Sequence, residues 1–490
     1  MEETYGNCFI KNGEKMVLIS VLGGDGEIGG NKILLEHKGT RLFLDFGMSF
    51  NKNSQYFCEF LNPRKCSGLG DFFEFGLLPD IDGIYREDYL THMGRPVEAR
   101  SLDAVLLSHA HADHAQYIHF LRWDIPIYCT QATKIILGCV QETGSNTFSD
   151  LIDACESFKF YKNKNGGLSR VDRKKAEYIH ERDYRVMIEG QRMSIGSMGV
   201  EMVPVDHSLP GACGFIIYTD EGNIVYTGDI RFHGSQGHLS RKFVERARKA
   251  TPKWLLCEGT RMDSREKDSE EAVRRKISEL IYQCEGMVFV EHPIRDIDRA
   301  NSIFNAATEN NRDFVVPMKL AYLIKSLDSH CPFCIDDVKI LKPRKSWGLI
   351  NKSGVAAEQV AQDYEKWERE FLAKENSVTC DDLNKSQKDY VISMSMWEIG
   401  QVADIKPINA LWIKSSCEPF CEEMELDEKR KLSWLKHFGI RHEEAHASGH
   451  ASGEEIKEMI REINPEILIP IHTEKPDLLK DIMQLNPALK

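Results

Sequence analysis

Residues Ser108–Ala115 read S-H-A-H-A-D-H-A and come directly after the apolar run Ala104–Leu107. Three histidines and one aspartate fall within six positions, namely His109, His111, Asp113 and His114. Imidazole and carboxylate suit zinc or a similar divalent ion, and four donors exceed what one catalytic metal takes from so short a segment. The stretch therefore predicts two metal ions beside a buried strand. The alternative is a polar surface loop, which the H-x-H-x-D-H order disfavours.

Further ligand candidates follow other short apolar runs. The candidates and the runs before them are His207 after Val203–Asp206, Asp229 after Asn223–Gly228, and His472 after Glu466–Ile471. These runs are rich in β-branched residues and bounded by turn residues, as buried strands are. One such histidine alone is more typical of a structural residue. Together with the first cluster they favour a shared metal site.

These motifs resemble those of the metallo-β-lactamase superfamily. The matching residues are Asp45 in F-L-D-F-G, the H-x-H-x-D-H string, His207 in V-D-H-S-L-P-G and Asp229 in Y-T-G-D. The resemblance implies an α/β fold, an αββα sandwich, with two Zn²⁺ ions. It implies the following ligands: His109, His111 and His207 for one zinc, Asp113, His114 and His472 for the other, and Asp229 as the bridge. Asp45 would orient a ligating histidine from behind; by itself it would be an ordinary turn aspartate.

The long segment between Asp229 and the last histidines indicates the branch of the superfamily. Lys253–Cys257 runs into E-G-T at Glu258, and H-A-S-G-H-A-S begins at His446. With P-I-H-T-E around His472, this pattern resembles the β-CASP nucleases, most closely the ribonuclease J-like enzymes. The resemblance implies a second α/β domain inserted into the metallo-β-lactamase fold.

We predict three segments along the chain. Residues 1–233 form the first part of the metallo-β-lactamase domain, residues 234–435 the inserted β-CASP domain, and residues 436–490 the returning part. Ribonuclease J-like enzymes continue into a separate C-terminal domain, which we expect this chain to lack. Val290–Pro293 replaces a small-residue segment that helps such enzymes hold the 5′ end of the substrate, so the 5′-end preference stays open. We assign no chemistry to residues 51–100.

The resemblance implies a zinc-dependent ribonuclease that hydrolyses phosphodiester bonds through a hydroxide activated by two metals. Asp229 would bridge the metals, His450 would protonate the leaving oxygen, and Glu258 would orient or polarise that imidazole. Ser448 and Gly449 would lie near the scissile or terminal phosphate. The expected partner is RNA, single-stranded rather than duplex, and a homo-oligomer is compatible with the sequence.

Other functions on the same scaffold stay open. A DNA nuclease is one alternative, because nothing in the sequence reports contact with a 2′-hydroxyl. A small-molecule metallohydrolase would not need the long insertion with Glu258 and His450. A catalytically silent scaffold subunit would be expected to have lost metal ligands, and this chain keeps them all. The choice between internal and stepwise cutting is open as well.

Length and composition fit an enzyme of more than one domain. The chain has 490 residues, 42% apolar and 28% charged, which is too long for one compact core. It lacks an apolar run of the roughly 18 residues needed to span a bilayer, and its start, M-E-E-T, does not resemble a secretory signal. Fourteen cysteines without a framework spacing indicate reduced thiols, and we expect a cytoplasmic protein. The lone C-x-x-C pair Cys331 and Cys334 is weak support for zinc or redox chemistry.

The net charge of −13 is unusual for a nuclease, because phosphate backbones are bound mainly through lysine and arginine. Two zinc ions would bring positive charge to the site regardless of the surface. Two basic clusters stand out, Arg170–Lys175 and Arg241–Lys249. Each, judged alone, is more typical of a solvated face than of a nucleic-acid groove.

Local patterns place the motifs on loops between regular elements. G-x-G-x-x-G within Gly23–Gly30 could open a dinucleotide-binding helix, but strand-like segments follow, so the glycines more plausibly let a loop pass close to the metals. Helices are predicted for Asp268–Leu280, with Asp268 as its cap, and for Asp296–Thr308. Ser452 with Glu455 fits a capping box that begins another helix, which places His450 on the loop before it.

Overall fold

Two six-stranded sheets and one seven-stranded sheet organise the chain. The computed structural model describes residues 17–58, 60–144, 148–173, 175–264, 269–419 and 422–485. Within these ranges, no helix is both long enough and apolar enough to cross a membrane.

The first sheet joins three antiparallel strands to three parallel ones. In order across the sheet, its strands are Leu18–Gly23, Lys32–His37, Thr40–Leu44, Ala104–Leu106, Ile127–Cys129 and Tyr184–Val186. Strand Lys32–His37 turns back into Thr40–Leu44 through Lys38 and Gly39, both with positive φ. These strands confirm that the glycine-rich loop before Lys32 leads into a strand and not into a dinucleotide-binding helix.

The second sheet has the same mixed character. Its strands, in order, are Arg192–Ile195, Met198–Pro204, Cys213–Tyr218, Asn223–Tyr226, Pro252–Glu258 and Ile467–Ile471. The last three run parallel to one another. The strand nearest the end of the chain therefore completes a sheet that begins near residue 192.

Alternating side chains pack the two six-stranded sheets against each other. One buried cluster contains, from the first sheet, Ile33, Leu35, Leu42 and Leu44, and from the second, Val200, Met202, Phe215 and Ile217. Their neighbours Leu34 and Phe43 belong to a different cluster, as the two-residue period of a strand requires. On the second sheet's outer face, Phe243 packs with Ile456 from two helices. These layers confirm the predicted αββα sandwich.

The third sheet is entirely parallel. Its strands, in order, are Ser377–Thr379, Lys339–Lys342, Asp313–Pro317, Tyr390–Ser393, Val288–Glu291, Leu411–Lys414 and Arg441–Glu444. The central strands are buried and rich in valine and isoleucine, which is typical of a sheet covered by helices on both faces. Two small hairpin-like sheets pair Asp153–Cys155 with Ile179–Glu181 and Phe160–Lys162 with Leu168–Arg170.

Helices connect and cover the sheets. Before the second sheet they are Phe50–Tyr56, Gly70–Glu74, Glu87–His92, Ala112–Ala115 and Gln131–Thr143. Those that follow are Gly237–Lys249, Glu270–Gln283, Ile297–Glu309, Met318–Leu327, Ala357–Val360, Cys380–Leu383, Gln401–Ile405, Glu422–Phe438, Gly453–Ile463 and Pro476–Leu485.

The sheet pairing differs from the predicted domain boundaries. Strand Pro252–Glu258 lies inside the predicted insertion, 234–435, yet pairs with Ile467–Ile471 in the second sheet. Strand Arg441–Glu444 lies after the predicted insertion, yet pairs with Leu411–Lys414 in the third. Motif positions report distance along the chain, whereas pairing depends on which strands meet after folding. We therefore propose that the insertion begins after the strand Pro252–Glu258 and ends in the loop after Glu444.

The predicted helix starts agree with the structure in two places and shift in a third. Asp296 caps Ile297–Glu309, with its side chain accepting from the Arg299 N–H. Ser452 and Glu455 form the predicted capping box at the start of Gly453–Ile463. The helix Glu270–Gln283 is capped by Ser269, and the predicted cap, Asp268, lies outside the described residues.

Candidate metal centre

Side chains that follow several strands converge on one place. Asp45 and His472 come directly after their strands and adopt positive φ angles of 56° and 51°. Such backbone turns are uncommon in residues other than glycine, and aspartate, asparagine and histidine tolerate them best. In the structure, three overlapping groups of potential ligand atoms lie within 4.8 Å of one another. All seven predicted metal ligands are among them.

The first group contains the ligands predicted for one metal. His111 Nδ1 lies 2.9 Å from His109 Nε2 and 3.1 Å from His207 Nε2. The Asp229 Oδ2 oxygen is 3.5 Å from His109 Nε2 and 3.7 Å from His207 Nε2. His109 and His207 therefore direct Nε2 towards a single carboxylate, and His111 Nδ1 lies beside both of these nitrogens.

The second group contains the ligands predicted for the other metal. His472 Nε2 lies 3.2 Å from Asp113 Oδ2, and His114 Nε2 lies 3.8 Å from the same oxygen. Asp229 also reaches this group, with 3.3 Å to His114 Nε2 and 3.7 Å to His472 Nε2. Asp229 is thus shared by both groups, as a bridging ligand must be.

Unsatisfied buried atoms support metal binding at this cluster. Among the described residues, His114 Nε2 and Asp229 Oδ1 are buried without a hydrogen-bond partner. Leaving such atoms unpaired costs about 1–3 kcal/mol each, and a cation would offset that cost. Nitrogen and carboxylate donors of this kind fit zinc. The residues present therefore fit a pair of divalent ions.

The protonation states of most of these side chains also suit metal binding. Burial holds the pKa of His109 and His207 well below the ordinary value, and it lowers the pKa of His111 to about 3. Burial raises the pKa of Asp229, but the neighbouring His114 and His472 outweigh it and hold the pKa well below the ordinary carboxylate value. Neutral imidazoles and ionised carboxylates are the forms that bind metal.

His114 differs from the other histidines of the cluster. Burial disfavours its charged form, but Asp229, Asp113 and Asp45 together raise its pKa well above the ordinary value. A proton on His114 therefore supplies part of the positive charge that a metal cation would bring to this pocket. Metal binding would displace that proton, so we expect affinity to rise with pH.

Hydrogen bonds behind the ligands fix which ring nitrogen faces the cluster. His114 Nδ1 donates to Asp45 Oδ2 at 2.7 Å, and His207 Nδ1 donates to the Gly449 carbonyl at 2.6 Å. His472 Nδ1 lies 2.8 Å from Thr260 Oγ1. That hydroxyl donates to Glu258, so the imidazole must be the donor to it. Each ring is left with an Nε2 lone pair for a metal.

Three residues that sequence reasoning missed complete this outer layer. Ser108 donates from its N–H and its hydroxyl to Asp45, each at 2.7 Å, and Tyr226 donates to the same carboxylate. Thr260 joins His472 to Glu258. Ser108 and Thr260 stand beside predicted motif residues, which is the only signal for them in the sequence. Asp45 lies where it was predicted, behind His114.

Glycines let the backbone pass close to Asp113. A Cβ added at Gly29 would lie 2.6 Å from Asp113 Oδ2, and one at Gly47 would lie 1.7 Å from the Asp113 carbonyl oxygen. Gly29 also has a φ of +80°. The Gly24 carbonyl accepts from the His472 N–H at 2.7 Å. The glycine-rich loop thus packs against both ligands, as its sequence predicted.

His450 lies beside the cluster in contact with Glu258. Its Nδ1 donates to the Glu258 carboxylate at 3.0 Å, and its Nε2 lies 4.0 Å from Asp229 Oδ2. The His450 side chain is 19% exposed, whereas that of Asp229 is 1% exposed. Burial disfavours the imidazolium, but Glu258 and Asp229 outweigh it and raise the pKa of His450 to about 9. The structure thus brings His450 and Glu258 together at the open side of the cluster.

The loop before His450 is held by its backbone. The Ser448 carbonyl accepts from His233 Nε2 at 2.9 Å, and the Ser448 hydroxyl accepts from the His450 N–H at 3.1 Å. Gly449 presents its carbonyl to His207. Both predicted substrate-contact residues therefore lie at the rim of the cluster, and their contact with substrate stays a prediction.

Comparison with known proteins gives two family matches. Residues 93–281 match the model described as "Metallo-beta-lactamase superfamily". Residues 441–480 match the model described as "Zn-dependent metallo-hydrolase RNA specificity domain". The first match contains six of the seven predicted metal ligands, and the second contains His450 and His472.

Relatives match along most or part of the chain. Ribonuclease J of Pyrococcus abyssi is 23% identical over 478 residues, which are 94% of this chain and 90% of that protein. Ribonuclease J of Mycolicibacterium smegmatis is 26% identical over 303 residues, 60% of this chain but 43% of that protein. A crystal structure of a protein of unknown function from Enterococcus faecalis has a TM-score of 0.69 and 23% identity, and covers 95% of this chain and 96% of its own. That structure supports the fold alone.

The sandwich of two sheets, with a histidine and aspartate cluster at its edge, defines a metal-binding hydrolase scaffold. The chain contains a metallo-β-lactamase domain and an RNA specificity domain of the Zn-dependent metallo-hydrolases, and its similarity to proteins named ribonuclease J is consistent with the β-CASP, ribonuclease J-like enzymes.

Proposed function

We propose that the chain is a zinc-dependent ribonuclease that hydrolyses phosphodiester bonds of single-stranded RNA. The observation that carries this proposal is the position of His450, supported by Glu258, beside a cluster that can hold two metals. A silent scaffold subunit would not need this arrangement. The similarity to proteins named ribonuclease J supports RNA as the substrate.

Two zinc ions fit the two ligand groups, with Asp229 shared between them. When bound, such a pair lowers the pKa of a water molecule and polarises a phosphate oxygen. The protein's own part is to hold the ligands in position. It does this through the outward hydrogen bonds of His114, His207 and His472, which leave little freedom for the rings to turn.

His450 is proposed as the general acid. Its Nδ1 is bound to Glu258, so a proton for the leaving oxygen must come from Nε2, which points towards Asp229. Glu258 is held in turn by Thr260 and by the Ile230 N–H. The carboxylate therefore orients the ring and stabilises its charged form until the proton is given up. Glu258 is fully buried, and we assign it this positioning role.

Replacement of His450 tests the proposal. We expect His450→Ala to lower cleavage of a labelled single-stranded RNA by about 10²–10⁴-fold, the usual contribution of a general acid, with zinc content per chain unchanged. The control is His437→Ala, which removes an exposed histidine from the helix Glu422–Phe438. Unchanged cleavage would remove the assigned role of His450, and loss of zinc would make it a ligand.

DNA is the second candidate substrate. The match at residues 441–480 is described as an RNA specificity domain, and this favours RNA. Matched RNA and DNA strands with 5′-monophosphate, 5′-triphosphate or 5′-hydroxyl ends, incubated with and without a chelator, would decide the question. Faster cleavage of the DNA strands would overturn the proposed substrate class, and the product lengths would separate internal from stepwise cutting.

We also propose that the protein works in the cytoplasm. The twelve cysteines among the described residues are all free, which suits a reducing compartment. Cys331 is half-buried and Cys334 is exposed, with no disulfide between them.

A further inference from the structure

A two-stranded hairpin carries exposed side chains and contributes no residue to the candidate metal centre. Strands Phe160–Lys162 and Leu168–Arg170 pair antiparallel with each other and join none of the larger sheets. Phe160 lies opposite Arg170, and Lys162 lies opposite Leu168. Directly paired residues in an antiparallel ribbon share a face. These four side chains therefore form one surface, which we name the hairpin face.

The hairpin face is apolar and cationic at once. Phe160 is 55% exposed and Leu168 is 71% exposed. Lys162 and Arg170 are exposed as well. A two-stranded ribbon is marginally stable by itself, and these two apolar groups remain largely exposed on it. Their position beside two cations is that of a binding surface.

Charge is concentrated around this hairpin. Residues 159–175 contain seven lysines and arginines against one acidic residue, although the whole chain has a net charge of −13. Among the described residues, Lys162, Lys164 and Arg170 form no ion pair with a carboxylate. Arg173 is the anchor, because its guanidinium binds Asp150 and Asp153. Lys159 pairs with Glu156, so Lys162, Lys164 and Arg170 are the cations that we consider for binding an external anion.

The second basic cluster of the sequence provides a contrast. Its cations lie on the helix Gly237–Lys249, and three of them face carboxylates from other elements. The pairs are Lys242 with Glu189, Arg246 with Glu201, and Arg248 with Glu462. The interpretation of this cluster as a solvated face therefore fits the structure. In the first cluster, Arg173 is likewise paired with carboxylates, whereas Arg170 is exposed on the hairpin without such a pair among the described residues.

The hairpin is held in a defined shape. Asn163 Oδ1 accepts from the Asn165 and Gly167 N–H groups and closes the turn. At the base, the Phe158 ring stacks on His92 with 3.8 Å between the ring centroids. The face is thus presented by an ordered turn and an anchored base, which limits the entropy lost on binding.

We propose that the hairpin face is a binding surface for single-stranded RNA, separate from the metal centre. This inference rests on the proposed function, since it names how a long substrate gains a second hold on the enzyme. Lys162, Lys164 and Arg170 would contact phosphates, and Phe160 would stack on a base. Single-strand binding surfaces combine cations that follow the backbone with aromatic rings that stack on bases. Two apolar side chains are too small an anchor for a lipid surface.

The test compares two hairpin variants with a matched control. The variants are Lys162→Ala with Arg170→Ala, and Phe160→Ala alone. The control is Arg241→Ala with Lys249→Ala, which removes two exposed cations from the other basic cluster. The measurement is the Kd of each protein for a labelled single-stranded 30-nucleotide RNA, in chelator to prevent cutting, across a range of salt concentrations.

We expect the double hairpin variant to weaken RNA binding by ten-fold or more. The slope of log K against log salt should fall by about 0.7 for each lost phosphate contact. Phe160→Ala should weaken binding about five-fold or more, the loss of one stacked base, with a nearly unchanged salt slope. The control should bind as the wild type does. Equal loss in the control and the hairpin variants would overturn the inference, because it would reflect overall charge.

A second measurement separates this inference from the proposed function. Hydrolysis of bis(p-nitrophenyl) phosphate, which is too small to reach the hairpin, should be the same in all variants when zinc is present. If the wild type cleaves RNA but the hairpin variants bind RNA as tightly as the wild type does, the hairpin inference alone is wrong. If the hairpin variants bind RNA more weakly but the wild type does not cleave RNA, the proposed function alone is wrong. Binding of the wild type to phosphatidylglycerol vesicles in preference to RNA would overturn the hairpin inference.

Discussion

The histidines of the cluster differ in the ring nitrogen that they present. His109, His114, His207 and His472 all direct Nε2 towards Asp229, whereas His111 presents Nδ1 to His109 Nε2. The Nδ1 atoms of the four are occupied by hydrogen bonds to neighbouring groups. The tautomer of each ring is therefore decided by its neighbours before any metal binds.

Thr260 offers a test of this arrangement. We expect Thr260→Val to lower zinc affinity about 10–100-fold, because His472 Nδ1 loses its acceptor and Glu258 loses a donor. Competition with a fluorescent chelator measures the affinity. Thr308→Val, which removes a hydroxyl bound to a helix carbonyl, is the control. Equal affinity in the two variants would show that Thr260 does not position His472.

For single residues, the sequence predicts the candidate metal ligands better than the groups that hydrogen-bond to those ligands. The spacing H-x-H-x-D-H places four ligands on one segment, and the structure brings all of them to one cluster. The acceptor of the His207 Nδ1 proton is a backbone carbonyl, that of Gly449. Any residue could supply such a carbonyl, so no side-chain pattern reveals it.

The helix Gly453–Ile463 shows how one element positions His450, the proposed general acid. Its cap, Ser452, follows His450 by two residues and is bound by Glu455 in a capping box. The Ala451 N–H donates to the Ile230 carbonyl, next to Asp229. Fixing the start of the helix thus fixes the loop that carries His450.

The contribution of the Glu455 carboxylate in this capping box to the stability of the fold should depend on pH. Burial raises the pKa of Glu455, but bonds from His233 and Ser452 outweigh it and lower the pKa to about 2. The carboxylate therefore stabilises the fold above pH 4.5 or so, and this contribution is lost as the pH falls towards 2. We expect Glu455→Ala to cost about 1 kcal/mol at pH 7, and progressively less below pH 4.5. Chemical unfolding at several pH values measures it.

The control for that experiment is Glu455→Gln. Glutamine keeps the acceptor for the Ser452 N–H but cannot ionise, so its stability relative to Glu455→Ala should not change with pH. A loss in Glu455→Ala that stays constant from pH 7 to pH 3 would contradict the assigned pKa.

Elements with an apolar period are predictable from the sequence, but their partners are not. Lys253–Cys257 is recognisable as a strand, yet its place beside Ile467–Ile471 depends on a contact across about two hundred residues. The strand Arg441–Glu444 is polar and largely exposed, so no hydrophobic pattern marks it. Its backbone pairing with Leu411–Lys414, and not a set of buried side chains, places this strand in the third sheet.

Across the whole molecule, buried charges join the sandwich to the third sheet's helices. Arg231, just after Asp229, binds Asp206 at 3.2 Å and Asp298 at 2.6 Å. Arg299 binds Glu270 at 2.7 Å and donates to the Ala447 carbonyl. Asp298 and Arg299 sit on the same helix. The network thus holds this helix against the loops that carry the metal centre.

Removing Arg231 should therefore destabilise the whole molecule. We expect Arg231→Ala to cost about 3–5 kcal/mol, because it leaves Asp206 and Asp298 charged and without their cation. The measurement is the midpoint of chemical unfolding. Lys242→Ala, which breaks an exposed pair with Glu189, should cost at most about 1 kcal/mol. Similar midpoints for the two variants would mean that the buried network adds no stability.

The order of strands in the second sheet has a consequence for the growing polypeptide. Ile467–Ile471 closes the sheet beside Pro252–Glu258, and His472 follows it. A ribosome that has translated as far as Asp229 has already made six of the seven proposed metal ligands, but it must complete over two hundred further residues before the seventh, His472, exists. Until that final strand docks, one ligand group contains only Asp113 and His114. If the chain binds two metals as we propose, a chain still being synthesised lacks one of their ligands, and we expect cleavage to begin only after the insertion has been made.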